Sequence, residues 1–437
     1  MPLYDFQRDD LLWWDSIGRR GIWAWDIGTG KTYVGAKLVK RYAQEGKRVL
    51  VVAPPSLVRT WRDMCENNGA KIELAWKNEN DQLLICTYDR LKTIVHIKFD
   101  LIIADEAHRI KNYDSKRSKI FKALSMNATH LLMMTGTLSN HRDAIELLNY
   151  LWCLNTPFIQ ERIPLRITPF RDRYCYKKQI SATYSKWIVR QEGAKLVNDV
   201  LANYVRFRDL RKEREIPPLT EEDRYLDSGV DLKSKAKAIA DALNIDETQI
   251  DVNYGHPHVT HALMLANGID FETGELTNRA KLDEIKNILE QLDETEQCII
   301  WVYWRKFGEE VAAMLGDTCR LVNGGVSDKQ KAEHICGFQE KRYPYLVASI
   351  GSIAEGHNLQ NCRYAIIANQ WYDVIKDTQS KGRIERDGQQ KPMTVIRLIG
   401  EKTLEEEVMY VLKKKMRLHE AHDYLRSALD KRLKKYL

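Results

Sequence analysis

The chain of 437 residues is short of several things, and each shortage excludes something. Its eight cysteines (65, 86, 153, 175, 298, 319, 336 and 362) are scattered, with no Cys-x-x-Cys pair. That argues against a zinc ribbon and against a disulfide framework, and leaves small buried thiols as the expectation. No apolar run approaches the roughly 18 residues that a spanning helix needs, so no membrane partner is expected. The first residues, Met1-Pro2-Leu3-Tyr4-Asp5, lack the basic-then-apolar pattern of a secretory signal. The expectation is an intracellular, cytoplasmic protein, with the nucleus less favoured. Acidic residues are outnumbered 61 to 68 by Lys and Arg, and the resulting +7 permits a polyanionic partner without requiring one. With 44% hydrophobic and 30% charged residues, the composition is that of a globular protein with room for two or three domain cores.

What is present centres on Asp105-Glu106-Ala107-His108-Arg109-Ile110-Lys111-Asn112. It follows Phe99-Asp100-Leu101-Ile102-Ile103-Ala104, a run with the length and flanks of a buried parallel strand. Two carboxylates at the carboxyl end of such a strand stand where open α/β sheets bind ligands. If a nucleoside triphosphate binds here, Asp105 can hold Mg²⁺ and Glu106 can polarise the attacking water. An acidic turn at a strand end is the plain alternative. Upstream, Gly21-Ile22-Trp23-Ala24-Trp25 reads as a strand, followed by Asp26-Ile27-Gly28-Thr29-Gly30-Lys31-Thr32 and an apolar-periodic helix. That is the context of a phosphate loop, in which backbone N–H groups curl around the anion. Lys31 would reach the β- and γ-phosphates and Thr32 would offer a hydroxyl to Mg²⁺. Trp25 occupies the position of the loop's first glycine. Gln7, next to Arg8, can donate and accept at once, which suits the edge of an adenine.

Further strands are expected at Val49–Ala53, Leu83–Cys86 and His130–Met134, the last running into Thr135-Gly136-Thr137-Leu138-Ser139-Asn140. Alternation of strands and helices implies a parallel sheet with its loop chemistry on one edge. Small hydroxyl residues at the strand ends suit a phosphate backbone and are equally ordinary helix caps. From Arg162 to Arg214 basic residues interleave with Phe170, Tyr174, Tyr176, Tyr184 and Trp187, a pattern open to nucleic-acid contact or to a solvated helical protrusion. Ile216-Pro217-Pro218 breaks any helix and marks a connection between domains. Residues 244–278 read as polar and turn-rich, with His256, His258 and His261 as loop or surface histidines. A second βα series follows, with strands at Cys298–Val302, Arg320–Val322, Tyr345–Ser349, Tyr364–Ala368 and Thr394–Ile399, without detectable repeat of the first. Arg383 and Arg386 are three apart, the spacing of one helix face. From Leu404 onward the chain is helix-prone, with an apolar early part and a basic tail.

The order and spacing of Gly-Thr-Gly-Lys-Thr, Pro-x-Ser-Leu-Val-x-x-Trp, Asp-Glu-Ala-His-Arg-Ile-Lys-Asn and Thr-Gly-Thr-x-x-x-Asn resemble those of Swi/Snf-type superfamily-two translocases. Gln379-Ser380-Lys381-Gly382-Arg383-Ile384-Glu385-Arg386-Asp387-Gly388-Gln389 resembles the same group's arginine motif. The stretch from Ser349 to Leu359 resembles its coupling loop, keeping Ser349, Gly356, Asn358 and Leu359 but lacking most of the usual glycines. The resemblance spans residues 4–412 and implies an α/β fold of two RecA-like P-loop NTPase lobes with parallel sheets, a helical insertion and a C-terminal helical segment. The implied division is 1–150 for the ATP-binding lobe, 151–215 for a basic and aromatic helical protrusion, 216–400 for the second lobe and 401–437 for a basic helix. It implies ATP and Mg²⁺ as ligands. Lys31, Asp105, Glu106, Arg383 and Arg386 would be catalytic, the arginines reaching the γ-phosphate from the opposite lobe. Gln7, Arg8, Asp26, Gly28, Thr29, Gly30, Lys31, Thr32, Gly356 and Gln379 would hold ATP, with Thr32 and Asp105 on Mg²⁺. On the first lobe, DNA contacts would come from Pro54, Ser56, Arg59, Thr87, Tyr88, Thr135, Gly136 and Thr137. On the second they would come from Trp304, Asn323, Gly324, Ser349 and Asn358. The implied function is ATP-dependent translocation on duplex or branched DNA by a monomer, with replication or recombination proteins as further partners and repair, fork reversal or branch migration as the task. A single-strand DNA or RNA helicase is the nearest rival, and a non-hydrolysing nucleic-acid scaffold the rival of another class.

Overall fold

Alternation along the strands decides the first sheet. In β1 (Arg20–Trp25), Ile22 and Ala24 enter one apolar cluster while Trp23 and Trp25 enter another. Successive side chains point to opposite faces, so both faces of this strand must be covered. The computed structural model describes residues 2–67, 82–136, 138, 144–179, 185–228, 257–353, 358–416 and 418–433. β2 (Val49–Ala53), β3 (Leu83–Thr87), β4 (Leu101–Asp105) and β5 (His130–Met134) join β1. An antiparallel pair, β6 (Cys175–Gln179) and β7 (Ser185–Val189), stands apart as its own two-stranded sheet. β8 (Val205–Arg208) then completes a six-stranded sheet in the order β3-β2-β4-β5-β1-β8, with all pairs parallel.

The helices α1 (Asp5–Ser16), α2 (Lys31–Gln44) and α3 (Pro55–Asn67) supply residues to one face. The other is covered by α4 (Lys116–Asn127), α5 (Ala144–Leu154), α6 (Pro157–Arg162), α7 (Ile167–Tyr174) and α8 (Gln191–Ala202), with the short α9 (Leu210–Glu213) following β8. Two corrections to the sequence reading arise here. The segment 151–215 is not all helix, and it does not stand outside the first lobe. Its β8 is an edge strand of the first sheet, with Ile22 opposite Val205 and Trp25 opposite Arg208. The compact unit runs from Met1 to Glu215.

The second unit, Ile216–Leu437, opens with β9 (Leu219–Leu226) directly after the Pro-Pro step. Its sheet contains β10 (Cys298–Val302), β11 (Cys319–Val322), β12 (Tyr345–Ser349), β13 (Tyr364–Ile367) and β14 (Met393–Gly400). The order is β11-β12-β10-β13-β14-β9, again wholly parallel. Its helices are α10 (Pro257–Ala266), α11 (Ala280–Glu290), α12 (Arg305–Leu315), α13 (Asp328–Gln339), α14 (Val374–Lys381), α15 (Leu404–Lys413) and α16 (Leu418–Leu433). α10 falls in what the sequence suggested was a polar loop. His261 on it is half-buried and stacks on Phe271 at 4.5 Å, and burial lowers its pKa. The C-terminal segment is two helices rather than one, broken where Lys415 takes a left-handed φ of 50°. Val408, Val411, Leu425 and Leu429 bury it in the second unit's core, so it is not a separate domain. A buried ion pair, Lys281 to Glu405 at 2.7 Å, ties α11 to α15, with Asn267 and the Ala368 carbonyl accepting the remaining ammonium protons. Each unit is a parallel sheet clad with helices on both faces, the RecA-like layering.

Candidate active site

The phosphate loop is shaped by two glycines. Gly28 and Gly30 take φ of 88° and 81°, where L side chains are strained, and a Cβ on Gly30 would stand 2.9 Å from the Gln7 amide nitrogen. α2 starts at Lys31 immediately after Gly30, so its orphan N–H groups and the positive end of its dipole face the loop. Lys31 is buried, and its ammonium donates to the carbonyls of Trp25 (2.6 Å) and Asp26 (2.8 Å). Thr29 Oγ1 closes the turn on the Asp26 carbonyl at 2.7 Å, while the Asp26 carboxylate accepts from the Leu210 N–H at 3.1 Å.

Trp25 fits in place of the usual glycine because nothing there requires a positive φ. Its ring is buried, stacked on Trp23 at 4.6 Å, and its Nε1–H donates to Asp10 Oδ2 at 2.8 Å. Asp10 in turn receives Arg208 Nη2 at 2.6 Å and Nε at 3.0 Å. This clamp fixes α1, and with it Gln7, against the strand that feeds the loop. Gln7 is itself buried, donating to the Thr29 carbonyl at 2.9 Å and accepting from the Tyr4 N–H at 3.1 Å. Arg8 is exposed, and its guanidinium turns to Asp5 and the Leu3 carbonyl rather than to the loop.

Asp105 ends β4 on the same carboxyl edge of the sheet. It is fully enclosed, with Trp61 Nε1–H donating to Oδ2 at 2.8 Å and the Glu106 N–H to Oδ1 at 3.0 Å. Below it, Tyr88 donates from its hydroxyl to the Asp105 carbonyl at 2.7 Å. Burial, then the adjacent Glu106 charge, push the Asp105 carboxyl up to about 7, against the pull of the Trp61 hydrogen bond and of the nearby Lys31 charge. Glu106 has a left-handed φ of 52°, and its Oε2 lies 3.2 Å from His108 Nδ1. Trp61 approaches so closely because α2 offers Gly35: a Cβ there would sit 2.5 Å from the indole Cη2. Nothing in the sequence ties Trp61 or Tyr88 to Asp105, and Asp10 falls in no motif. The one available signal for Asp10 is its helical spacing with Phe6, Gln7 and Trp14, all buried on α1.

The residues fit a nucleoside triphosphate with its magnesium. The loop N–H groups and Lys31 are donors for phosphate, and the Thr32 hydroxyl and Asp105 carboxylate are the hard oxygen ligands Mg²⁺ takes.

In the second unit, α14 carries Gln379 and ends at Lys381. Arg383 and Arg386 therefore lie in the turn after the helix and not on its face, which corrects the helical expectation; Gly382 caps the helix. Arg383 is buried, while Arg386 folds back to the Gly382 carbonyl at 2.8 Å and meets Asn358 Oδ1. The helix itself is pinned to the sheet. Arg397 reaches Asp377 at 2.8 Å and Glu221 at 3.1 Å, and Lys381 spans the same two carboxylates at 3.1 and 3.0 Å.

The residues proposed from sequence to contact DNA separate into two sets. Arg59 is exposed, 3.9 Å from Asp63, and Gly324 and Asn358 are also exposed. Gly136, Thr87 and Ser349 are half-buried, with Ser352 donating to Ser349 at 3.3 Å. Ser56 Oγ is buried without a hydrogen-bond partner among the described residues. Tyr88 and Thr135 are turned inward, which removes their side chains from any surface role: Tyr88 supports β4, and the Thr135 N–H extends the β1 ladder through Trp23. Pro54 and Asn323 are buried too, the latter bonding the Gly325 N–H at 2.9 Å. Trp304 packs edge-on against Tyr303 and Trp371, at 5.0 and 6.0 Å. Thr137 and Gly356 lie outside the described residues.

Residues 13–140 match the family described as "Type III restriction enzyme, res subunit", and residues 280–388 match "Helicase conserved C-terminal domain". Together the two matches cover more than half of the chain. The putative ATP-dependent helicase/translocase YwqA of Bacillus subtilis is 22% identical over 463 residues, covering 96% of this chain and 48% of the relative. The SWI/SNF-related matrix-associated actin-dependent regulator of chromatin subfamily A-like protein 1 of Xenopus laevis is 24% identical, covering 95% of this chain and 43% of the relative. The chain thus spans about half the length of these curated relatives. The Sulfolobus solfataricus SWI2/SNF2 ATPase core in complex with dsDNA aligns with a TM-score of 0.42 at 19% identity, over 95% of this chain and 91% of that one. With a helicase-type region on each unit and the motifs of the phosphate loop and Asp105-Glu106-Ala107-His108 in place, the chain is similar to Swi/Snf-related ATP-dependent helicases and translocases of superfamily two.

Proposed function

We propose that this chain couples ATP hydrolysis to movement along double-stranded DNA and so remodels DNA structures, as in repair, fork reversal or branch migration. The observation that carries the reading is the meeting of Lys31 and the Asp105–Glu106 pair on one carboxyl sheet edge, with Asp105 held by Trp61. Lys31 and the loop N–H groups bind the phosphates, Thr32 and Asp105 hold the metal, and Glu106 orients the attacking water and takes its proton. Mg²⁺ held there would supply positive charge against the triphosphate. Gln7, clamped to the loop, reads the base, and Arg383 and Arg386 stabilise charge on the transferred phosphoryl group. The preference for duplex DNA is supported by the likeness to SWI/SNF-related relatives and by the extension Arg109-Ile110-Lys111-Asn112.

ATP turnover measured with no nucleic acid, duplex DNA, single-stranded DNA and RNA tests this. Duplex DNA is expected to stimulate most, and Lys31→Ala to abolish turnover in every case. Strongest stimulation by single strands or RNA would replace the reading with the single-strand helicase. Turnover unaffected by Lys31→Ala would remove the site assignment altogether.

A further inference from the structure

The pair β6–β7 belongs to neither large sheet. Its base is built into the first unit: Cys175 is buried, Trp187 lies under the Arg171 guanidinium at 5.4 Å, and the Arg190 N–H bonds the Tyr174 carbonyl at 2.7 Å. Beyond that base Tyr176, Lys177, Lys178 and Gln179 are exposed. From Arg173 to Arg190, eighteen residues contain five cations and no carboxylate, in a chain with nearly as many acids as bases. Lys177 and Lys178 form no ion pair among the described residues. The register sets Lys178 directly opposite Lys186. A lone two-stranded ribbon has little stability to spare, and a run of cations with no carboxylate among them adds repulsion that nothing in the run offsets. Folding alone gives no reason to keep this arrangement, whereas a polyanion lying along the ribbon removes the repulsion.

We propose that β6–β7 is a nucleic-acid-binding arm that lies in a groove of B-form duplex DNA, with Lys177 and Lys178 on backbone phosphates. The geometry selects the partner class. The major groove of B-form DNA admits a two-stranded ribbon, whereas the major groove of A-form RNA is too deep and narrow for protein side chains to read. A single strand offers no groove at all. The inference rests on the DNA-translocase reading and gives it a contact that the sheet-edge motifs do not supply.

The test compares the full chain with its Lys177→Gln/Lys178→Gln variant. Binding to a fluorescent DNA duplex, to a single strand of equal length and to an RNA duplex is followed over a range of salt concentrations. Each phosphate contact contributes about 0.9 to the slope of log K against log salt on B-form DNA, so the variant's slope on duplex DNA is expected to flatten by roughly 1.8. Its slopes on the single strand and on RNA should match the wild type, its nucleic-acid-free ATP turnover should be unchanged, and it should melt at no lower temperature. An unchanged slope on duplex DNA, or an equal flattening on the single strand, overturns the arm while leaving the translocase reading intact. A wild-type chain that binds no DNA overturns both.

Discussion

At Asp105 the indole N–H of Trp61 meets a carboxylate with no solvent to take its place. Trp61→Phe keeps a ring in the space but leaves Asp105 Oδ2 short of its donor. Stranding one partner of a buried hydrogen bond costs about 1–3 kcal/mol. Gly35→Ala attacks the same contact from the other side, since its Cβ would press to 2.5 Å on a ring that is itself walled in. Overpacking of that kind costs about 1–3 kcal/mol. Both variants are expected to lower the urea midpoint of the purified protein. Midpoints equal to wild type would show that the indole does not hold the carboxylate. The contact joins residues 44 apart in sequence, which is why the motif containing Trp61 announced a family but not a partner. The Asp10–Arg208 clamp, 198 residues apart, was invisible for the same reason.

Among the elements, apolar strands were legible, including the edge strands β3 and β11, whereas the charged edge strands β8 and β9 were not. Val49–Ala53 and Leu101–Ala104 are continuous apolar runs because a parallel sheet clad on both faces leaves them no solvent. β8 and β9, Val-Arg-Phe-Arg and Leu-Thr-Glu-Glu-Asp-Arg-Tyr-Leu, close the two sheets at an edge and carry charge. They pair through backbone, which sequence pattern does not record. β9 matters to the site through Glu221, which with Asp377 anchors α14 by way of Arg397 and Lys381. Burial alone would raise both carboxyls, but Arg397 and Lys381 outweigh it and hold them below their ordinary values. Folded-state values below the unfolded ones mean that the unfolded chain binds more protons in the acid range, so this stabilisation is present at neutral pH. It is lost as pH falls below about 4 and through the depressed values. Glu221→Gln is therefore expected to be less stable than wild type at pH 7, with the gap in urea midpoint narrowing progressively as pH falls below about 4. A gap that stays constant over that range would mean that the charge on Glu221 contributes nothing.

For the whole molecule, the residues proposed as catalytic are divided between two separately packed units. The phosphate loop and the Asp105–Glu106 pair lie in Met1–Glu215, and the arginine turn lies in Ile216–Leu437. Neither helicase-type region contains the full set. If both sets act on one triphosphate, Glu106→Gln and Arg386→Ala should fail in the same way although they sit in different units. Each should bind a fluorescent ATP analogue with near wild-type affinity, because Lys31 and the loop N–H groups remain, and each should turn over slowly. For Arg386→Ala the expected loss is about 10³–10⁵-fold, the range associated with a missing arginine finger. Arg386 also bonds the Gly382 carbonyl, so a merely structural role would show as a lowered melting temperature with turnover reduced in proportion to unfolded protein. Normal melting and normal analogue binding with turnover lost place the guanidinium at the reacting phosphate. Normal turnover would assign hydrolysis to the first unit alone and leave the arginine turn to another task.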